Sequence, residues 1–151
     1  MEARTRSVEE TYAVAKKFID ELRSLPAKEA AAVQGATLVL LHGDLGAGKT
    51  TFVQGIIRAL GVKETVTSPT FVLMKKYALR DGERWRTLIH IDAYRLEGTH
   101  ELEGLRFEEV QSDPESIIFF EWPERIWKTF PKDSHTIRFR FVDETTREIS
   151  W

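Results

Sequence analysis

The sequence predicts an α/β fold, with a mostly parallel central sheet, helices on both faces and antiparallel additions from hairpins. An apolar segment at residues 36–41 leads through a glycine-rich loop into an amphipathic helix pattern at 51–60. Gly61 follows, where a helix C-cap glycine is expected. A second apolar segment, at 116–121, is typical of a strand buried on both faces. These segments together predict the core of the fold.

The composition is that of an ordinary globular protein. The 151 residues fit one domain spanning 1–151, and 42% are hydrophobic and 30% charged. A formal net charge of −2 gives no general electrostatic reason to bind nucleic acid or anionic membranes. The absence of cysteine excludes disulfides, thiolate metal sites and cysteine nucleophiles. With no apolar signal core and no segment long enough to span a bilayer, we expect a cytoplasmic protein without a membrane partner.

The loop after the first strand fits the phosphate-binding pattern G-x-x-x-x-G-K-[ST] at residues 43–50. Its glycines let backbone N–H groups curve around an anion, and the next helix adds its positive dipole end. Lys49 is expected to neutralise the terminal phosphates of a nucleotide, and the Thr50 hydroxyl to bind Mg²⁺. The sequence therefore predicts a three-layer P-loop NTPase-like domain.

The segment 87–95 is predicted to be a strand with polar residues on one face. Its period of two places Ile89, Ile91 and Ala93 on one side and His90, Asp92 and Tyr94 on the other. If the strand is internal, Asp92 needs a partner, such as Mg²⁺ or the water that attacks the terminal phosphate. If the strand lies at a sheet edge, His90 and Asp92 are simply in solvent. Spacing alone leaves both alternatives open.

The strand at 116–121 ends in Glu121, the position from which a carboxylate commonly reaches Mg²⁺ beside a phosphate loop, often through a water molecule. Pro123 ends the strand where the acid emerges. The alternative is an incidental acid at a strand end. Trp122 is either a reporter of a conformational switch or a core residue, and we expect it in the core.

The remaining elements are predicted from local patterns. A capping box at 7–10 opens a helix that stops at Pro26, and its first turn either packs on the sheet or touches the nucleotide base. One or two short helices are expected within 97–113. An alternating strand at 136–142 pairs with 147–151. Its expected inward residues are Ile137, Phe139 and Phe141.

Two further segments permit a functional or a structural interpretation. The hydroxyl-rich stretch containing Ser68 and Thr70 is either a switch near the phosphates or a plain turn. A basic and aromatic cluster in the hairpin around an Asp-Gly turn is either a nucleic-acid contact or a solvated face. Its members are Arg80, Arg84, Trp85 and Arg86.

Four motifs in this order and spacing closely resemble the TsaE (YjeE) family of bacterial P-loop ATPases. They are Gly-Asp-Leu-Gly-Ala-Gly-Lys-Thr-Thr at 43–51, Ser-Pro-Thr at 68–70, His-Ile-Asp-Ala-Tyr-Arg at 90–95 and Glu-Trp-Pro-Glu at 121–124. The resemblance implies an ATPase that supports formation of N6-threonylcarbamoyladenosine at position 37 of tRNAs reading codons that start with A. It also implies binding to a TsaB–TsaD heterodimer, whose TsaD subunit performs the transfer. The chain would then contact tRNA indirectly, through the complex.

The same resemblance assigns roles to individual residues. It places ATP on the phosphate loop and Mg²⁺ at Thr50 and Glu121, with Asp92 near the attacking water and Lys49 beside the phosphates. Regions near Val8 and Thr146 match those that flank the family's adenine pocket. The expected nucleotide contacts are Asp44, Leu45, Gly46, Ala47, Gly48, Lys49, Thr50 and Thr51.

Other functions remain as alternatives. A small-molecule or nucleoside kinase shares the phosphate loop, although the sequence shows no lid-like insertion. A nucleotide-gated binding subunit would not depend on hydrolysis. A GTPase is disfavoured because the base-reading motif Asn/Thr-Lys-x-Asp is absent. Arg95, or a residue from a partner, is a candidate for stabilising the transition-state charge.

Overall fold

A computed structural model describes residues 1–26, 35–63, 73–98, 100–126 and 130–151. The positions expected to form a switch, Ser68 and Thr70, lie outside these ranges, as does the alanine-rich segment 27–32. The elements are β1 (Glu2–Thr5), α1 (Val8–Ser24), β2 (Thr37–His42), α2 (Lys49–Ala59), β3 (Met74–Ala78), β4 (Thr87–Asp92), α3 (His100–Gly104), α4 (Phe107–Gln111), β5 (Ser116–Glu121), a 3₁₀ turn (Pro123–Arg125), β6 (His135–Phe141) and β7 (Arg147–Ser150).

The strands of the described residues form one sheet in the order β1-β7-β6-β2-β5-β4-β3. Strands β6, β2, β5 and β4 are parallel, whereas β3, β7 and β1 are antiparallel additions. This arrangement confirms the predicted α/β fold. The register places Leu41 beside Glu121 and Glu121 beside Asp92. Three neighbouring strands therefore end together, which brings their following loops to one edge of the sheet.

Helices cover both faces of the sheet. On one face α1 and α2 pack against apolar side chains of β2, β5 and β6. On the other face α3 and α4 cover a second apolar layer. Helices α1 and α2 approach closely at Gly55, where an added Cβ would lie 2.9 Å from the Cβ of Ala15 and 2.9 Å from the Tyr12 ring. This close contact fixes α2, and with it the loop that precedes it.

The predicted start of α1 and the predicted end of α2 are confirmed by their caps, whereas α2 begins at Lys49, two residues before the predicted start. The Ser7 side chain accepts a hydrogen bond from the Glu10 N–H at 3.1 Å, and the Glu10 carboxylate accepts from the Arg6 N–H at 2.7 Å. At the end of α2, Gly61 adopts φ +72°, and the Val62 N–H donates to the Ile57 carbonyl at 3.2 Å. This is the Schellman arrangement that a C-cap glycine permits.

The structure differs from the sequence prediction in strand β1 and at Phe141. Strand β1 was not predicted because residues 2–5 are mostly polar, and the strand forms by pairing with the free edge of β7. Phe141 was expected to face the core, but 47% of its surface is exposed. Strand β2 pairs with β6 only as far as Arg138, so Phe141 extends past the covered part of the sheet. The Arg147 guanidinium covers its ring instead, 4.5 Å from the centroid.

Two arginines of the β3–β4 hairpin donate hydrogen bonds to carbonyls at the ends of neighbouring helices. The Arg84 guanidinium donates to the carbonyls of Arg23 and Leu25 at the end of α1, and Arg80 donates to the Gly61 carbonyl at 3.0 Å. The Trp85 ring is buried, and its N–H donates to the Thr37 hydroxyl at 2.8 Å. Cations at helix C-terminal carbonyls are electrostatically favourable. Two of the cluster's arginines are therefore helix-end contacts, and its aromatic residue belongs to the core.

Candidate nucleotide-binding site

The phosphate loop starts where β2 leaves the sheet, and its first glycine lies against β6. Gly43 has φ +146°, and an added Cβ would lie 2.5 Å from the Phe139 carbonyl oxygen. No other residue fits there without moving the β6 backbone. Strand β6 therefore fixes the start of the loop, while α2 fixes its end.

Lys49 is held inside the loop. Its Nζ donates to the carbonyls of Gly43 and Asp44, the latter at 2.9 Å, and lies 3.8 Å from the centroid of the Trp122 ring. Burial lowers the pKa of the Lys49 ammonium, and nearby carboxylates, led by Glu121, partly offset that shift. The ammonium thus lacks much of the hydration it would have in water, which favours its interaction with an anion.

The N-terminal turn of α2 faces the same cleft. The first N–H groups of a helix have no intrahelical acceptor, and many helices satisfy one of them with a side chain of the N-cap residue. Here the N-cap is Gly48, which supplies no such bond. The first-turn N–H groups and the positive end of the helix dipole are consequently directed at the cleft, an arrangement suited to phosphate.

Thr50 and Glu121 meet at the floor of the cleft. The Thr50 hydroxyl lies 3.0 and 3.1 Å from the two Glu121 carboxylate oxygens and donates to that carboxylate. His90 approaches the same carboxylate from β4, with Nε2 at 2.7 Å from Oε1. Both Glu121 and His90 are buried. A helix, a strand end and a neighbouring strand thus converge on one carboxylate.

Asp92 lies beside Glu121 at the carboxyl end of β4. Because β4 is internal, between β3 and β5, the alternative of an edge strand in solvent is wrong. Asp92 Oδ1 accepts the Tyr94 N–H at 3.0 Å. Burial raises the pKa of this carboxyl; the Tyr94 hydrogen bond opposes the increase, and nearby Glu121 adds to it. The raised pKa makes Asp92 a stronger base than an ordinary aspartate.

Trp122 packs against the core as expected, but it is only partly buried and also lines the cleft. Its backbone is left-handed, with φ 60° and ψ 49°, an uncommon conformation for a bulky residue. The ring contacts Lys49 as described and also packs against Tyr94, with centroids 5.0 Å apart. Strain of this kind is often retained at functional sites. The turn after β5 therefore presents an aromatic wall to the phosphate loop.

A second cleft adjoins the first, and each has a volume of about 260 Å³. Gly46, Gly48 and Thr51 line both. The second is bounded by the start of α1, including Val8, and by the β6–β7 turn. Arg147 links that turn to the phosphate loop, since its Nε donates to the Gly46 carbonyl at 2.9 Å. The two clefts therefore adjoin at the phosphate loop, one reaching Asp92 and the other the N-terminus of α1.

The predicted site residues fall into two groups. Most line the first cleft: Leu45, Gly46, Gly48, Lys49, Thr50, Thr51, Asp92, Arg95 and Glu121. Asp44 contributes its backbone carbonyl to Lys49, and Ala47, within the loop itself, is fully buried. Sequence reasoning gave His90 no specific partner and missed Arg147. The shared strand face of His90 and Asp92 was a usable signal, whereas nothing in the local sequence marks Arg147.

Neither a cluster of metal-binding side chains nor a membrane-spanning helix is present in the described ranges. No three His, Asp or Glu side chains there converge on a site that could hold a metal ion by themselves. No helix within those ranges is both long enough and apolar enough to cross a bilayer.

Comparison with known proteins gives consistent matches. The model of a family described as "Threonylcarbamoyl adenosine biosynthesis protein TsaE" matches residues 5–149. A Streptomyces coelicolor protein named "tRNA threonylcarbamoyladenosine biosynthesis protein TsaE" is 40% identical, covering 85% of each chain. A Bacillus subtilis protein of the same name is 34% identical over 98% of this chain and 82% of its own. The crystal structure of Bacillus subtilis YdiB superposes with a TM-score of 0.64 and 29% identity, covering 99% of this chain and 82% of that one.

Proposed function

The chain belongs to the TsaE family, and we propose that it is a Mg²⁺-dependent ATPase that serves as an accessory subunit in the threonylcarbamoyladenosine modification of tRNA. The observation that carries the proposal is the convergence of Lys49, Thr50, Asp92 and Glu121 on one cleft at the N-terminus of α2. A phosphate loop flanked by a strand-end acid and a second carboxylate is suited to phosphoryl chemistry.

The loop supplies the binding contacts for the polyphosphate. Backbone N–H groups of the first turn of α2 donate to phosphate oxygens, helped by the helix dipole. The Lys49 ammonium exchanges its two loop carbonyls for phosphate oxygens, which recovers the hydrogen bonds it gives up. The expected contacts comprise Asp44, Leu45, Gly46, Ala47, Gly48, Lys49, Thr50 and Thr51.

Thr50 and Glu121 are suited to hold Mg²⁺. A hydroxyl and a carboxylate are oxygen ligands of the kind that this ion prefers. With no larger set of acidic side chains converging among the described residues, the protein would supply few ligands, as is usual for Mg²⁺ bound with a nucleotide. When bound, Mg²⁺ neutralises charge on the phosphate oxygens. The Thr50 hydroxyl, which now donates to Glu121, would turn its lone pairs toward the ion.

Asp92 is proposed as the group that accepts a proton from the attacking water. Oδ1 is occupied by the Tyr94 N–H, so the proton would be taken at Oδ2. A carboxyl whose pKa is raised by burial is better matched to this role than an exposed one. Arg95, at the same cleft, is a candidate for stabilising the transition-state charge. A partner residue is the alternative, in which case the isolated chain turns over slowly.

The second cleft is proposed to take the nucleoside end of ATP. It begins at the phosphate loop and ends between the start of α1 and the β6–β7 turn. Its volume of about 260 Å³ equals that of the first cleft. Val8, on its wall, is 48% exposed and supplies apolar surface for a base.

The biological role rests on family membership. The relatives matched here carry names that place them in tRNA threonylcarbamoyladenosine biosynthesis. We therefore propose that the chain acts with TsaB and TsaD subunits, in the cytoplasm, and that its ATP cycle supports repeated turnover by the TsaB–TsaD transferase. The chain then contacts tRNA indirectly, through the complex with TsaB and TsaD.

The test is ATP hydrolysis by the purified wild type and Lys49→Ala proteins, each with and without TsaB and TsaD. The proposal predicts hydrolysis that requires Lys49 and rises when the partners are added. Phosphorylation of a small-molecule acceptor in place of hydrolysis would indicate a kinase. Nucleotide binding with no hydrolysis under any condition would indicate a nucleotide-gated binding subunit.

A further inference from the structure

The buried contact between His90 and Glu121 has no role in the mechanism described so far. His90 is completely buried, and its Nε2 lies 2.7 Å from Glu121 Oε1. The strand register places His90 beside Phe119, two residues before the Asp92–Glu121 pair. The histidine therefore reaches the carboxylate from within the sheet, while the Thr50 hydroxyl reaches it from the loop.

Glu121 needs an orienting partner because of its length. A glutamate side chain has one more rotatable bond than an aspartate, so fixing its carboxylate in one orientation costs more conformational entropy. The last rotatable bonds of the side chain decide which way the carboxylate oxygens point. A hydrogen bond donor placed behind the carboxylate removes that freedom and leaves the opposite side facing the loop.

The surroundings of the imidazole indicate which nitrogen carries hydrogen. Nδ1 is buried and has no hydrogen-bond partner within the part of the chain that the structure describes. A buried N–H donor without an acceptor costs free energy, and a buried ring nitrogen that carries no hydrogen costs less. Hydrogen on Nε2 alone satisfies this arrangement, since Nε2–H then donates to the Glu121 carboxylate.

We propose that His90 is a positioning residue that, by donating from Nε2, holds the Glu121 carboxylate in the orientation that Thr50 and a nucleotide-bound divalent cation require. The inference rests on the proposed function, because it assigns a second residue to the same cation site. His90 itself touches neither nucleotide nor cation. Residues that orient a metal-binding carboxylate typically change metal affinity about 10- to 100-fold when removed.

Two amide substitutions provide a matched test. In His90→Gln the side-chain amide nitrogen stands three bonds from Cβ, as Nε2 of histidine does, and can still donate to Glu121. In His90→Asn the amide is one bond shorter and falls short of the carboxylate. Both variants place a neutral polar group in the same buried position, so burial of polarity alone does not distinguish them.

The measurement is the affinity for ATPγS as a function of Mg²⁺ concentration, with an EDTA sample as the metal-free reference. For His90→Asn we expect unchanged metal-free affinity, with the half-maximal Mg²⁺ concentration raised about 10- to 100-fold. His90→Gln is expected to stay near the wild-type value. Equal Mg²⁺ responses in all three proteins would overturn the inference while leaving the proposed function standing. A wild-type affinity for ATPγS that is absent or indifferent to Mg²⁺ would overturn both.

A measurement on the wild type covers the case in which His90→Asn does not fold. Nitrogen-15 NMR of the histidine rings separates a hydrogen-bearing nitrogen from a bare one. The inference predicts that Nε2 of His90 carries hydrogen and that Nδ1 does not. Hydrogen on Nδ1 alone would contradict it, because Nε2 could not then donate to Glu121.

Discussion

The nucleotide cleft and the β3–β4 hairpin both contain closely spaced charged and aromatic residues, yet they use them in opposite ways. In the hairpin, Arg80 and Arg84 donate to carbonyls that end other helices, and Trp85 fills the core. In the cleft, Lys49, Asp92 and Glu121 line open volume. The first set of charges is satisfied by the fold, whereas the second is gathered beside a space that a ligand can enter.

The difference is also electrostatic. Burial shifts the pKa of both Lys49 and Asp92 toward the neutral form, so the fold holds these charges at a cost. Lys49 does donate to carbonyls, but they belong to the phosphate loop itself and the amine still faces the cleft. Ionisable groups in a cleft whose pKa values are shifted toward the neutral form indicate function more strongly than a high local density of charged residues does. Substitutions in the two regions should therefore have separable effects.

The largest effect is expected from Asp92→Asn, which removes the proposed proton acceptor. ATP hydrolysis should fall about 10²- to 10⁴-fold, the range typical for loss of a general base. The affinity for ATPγS should change little, because the loop contacts remain. Steady-state kinetics and equilibrium binding together check this prediction, and wild-type turnover in the variant would exclude Asp92 from catalysis.

The same substitution should stabilise the metal-free protein at neutral pH. The pKa of Asp92 is raised in the folded chain above its ordinary value of 3.8, so the folded state binds the proton more tightly and ionisation lowers stability as pH rises. The urea midpoint of Asp92→Asn should exceed that of the wild type at pH 7. The gain should shrink as the pH falls toward 3.8, where the wild-type carboxyl becomes protonated in both states. No gain at pH 7 would contradict the raised pKa.

In the hairpin, Arg84→Met should lower stability without affecting nucleotide binding. It removes hydrogen bonds from a guanidinium to the last carbonyls of α1, which we expect to cost about 1–3 kcal/mol. For a chain of this size that corresponds to about 3–10 °C in the melting temperature. Methionine keeps much of the apolar stem, so the loss reports the charged group.

Arg86→Met is the control for that prediction. Arg86 pairs with Glu115 at 2.9 Å, but both side chains are largely exposed. Exposed ion pairs contribute about 0–1 kcal/mol, so its melting temperature should stay close to that of the wild type. Equal decreases in melting temperature for Arg84→Met and Arg86→Met would show that the helix-end contacts of Arg84 stabilise the protein no more than an exposed ion pair does.

The smallest effect is expected from Asp143→Ala in the β6–β7 turn. The Asp143 carboxylate accepts the N–H groups of Thr145 and Thr146 at 2.9 and 2.8 Å, which lowers its pKa to about 2. This depressed pKa means that the ionised group stabilises the turn above pH 3.8, with the contribution lost as the pH falls through about 2. Urea denaturation should show the variant slightly less stable at pH 7, with the difference from the wild type shrinking as the pH falls from 3.8 through about 2. A difference as large at pH 2 as at pH 7 would exclude the carboxylate as its cause.

Much of the fold was predictable because its signals are local. The phosphate loop, the C-cap at Gly61 and the Ser7 cap depend on contacts within a few residues, and all lie where the sequence placed them. Strand β1 and the exposure of Phe141 depend on which strands happen to be neighbours. Sheet order is not encoded in the local pattern of residues 2–5 or 136–142.

The candidate site shows the same division. Lys49, Thr50 and Glu121 follow from motif positions, and their proximity could be anticipated because parallel strand ends share an edge. The internal position of Asp92, the contact of Trp122 with Lys49 and the link from Arg147 to Gly46 all require the tertiary fold. The hairpin arginines looked equally functional in sequence, since nothing local reveals that distant helix ends accept their hydrogen bonds.

The most direct test of the contrast is the affinity for ATPγS with Mg²⁺, measured on Lys49→Ala and Arg84→Met beside the wild type, together with their urea midpoints. We expect Lys49→Ala to weaken binding by about tenfold or more, the equivalent of one charged hydrogen bond. Its loss of stability should be smaller than that of Arg84→Met, because burial already disfavours the Lys49 charge. Arg84→Met should bind as the wild type does and unfold at lower urea. Wild-type affinity in Lys49→Ala would contradict the role of the cleft charges in nucleotide binding. Weakened affinity in a folded Arg84→Met would contradict the purely structural role of the hairpin charges.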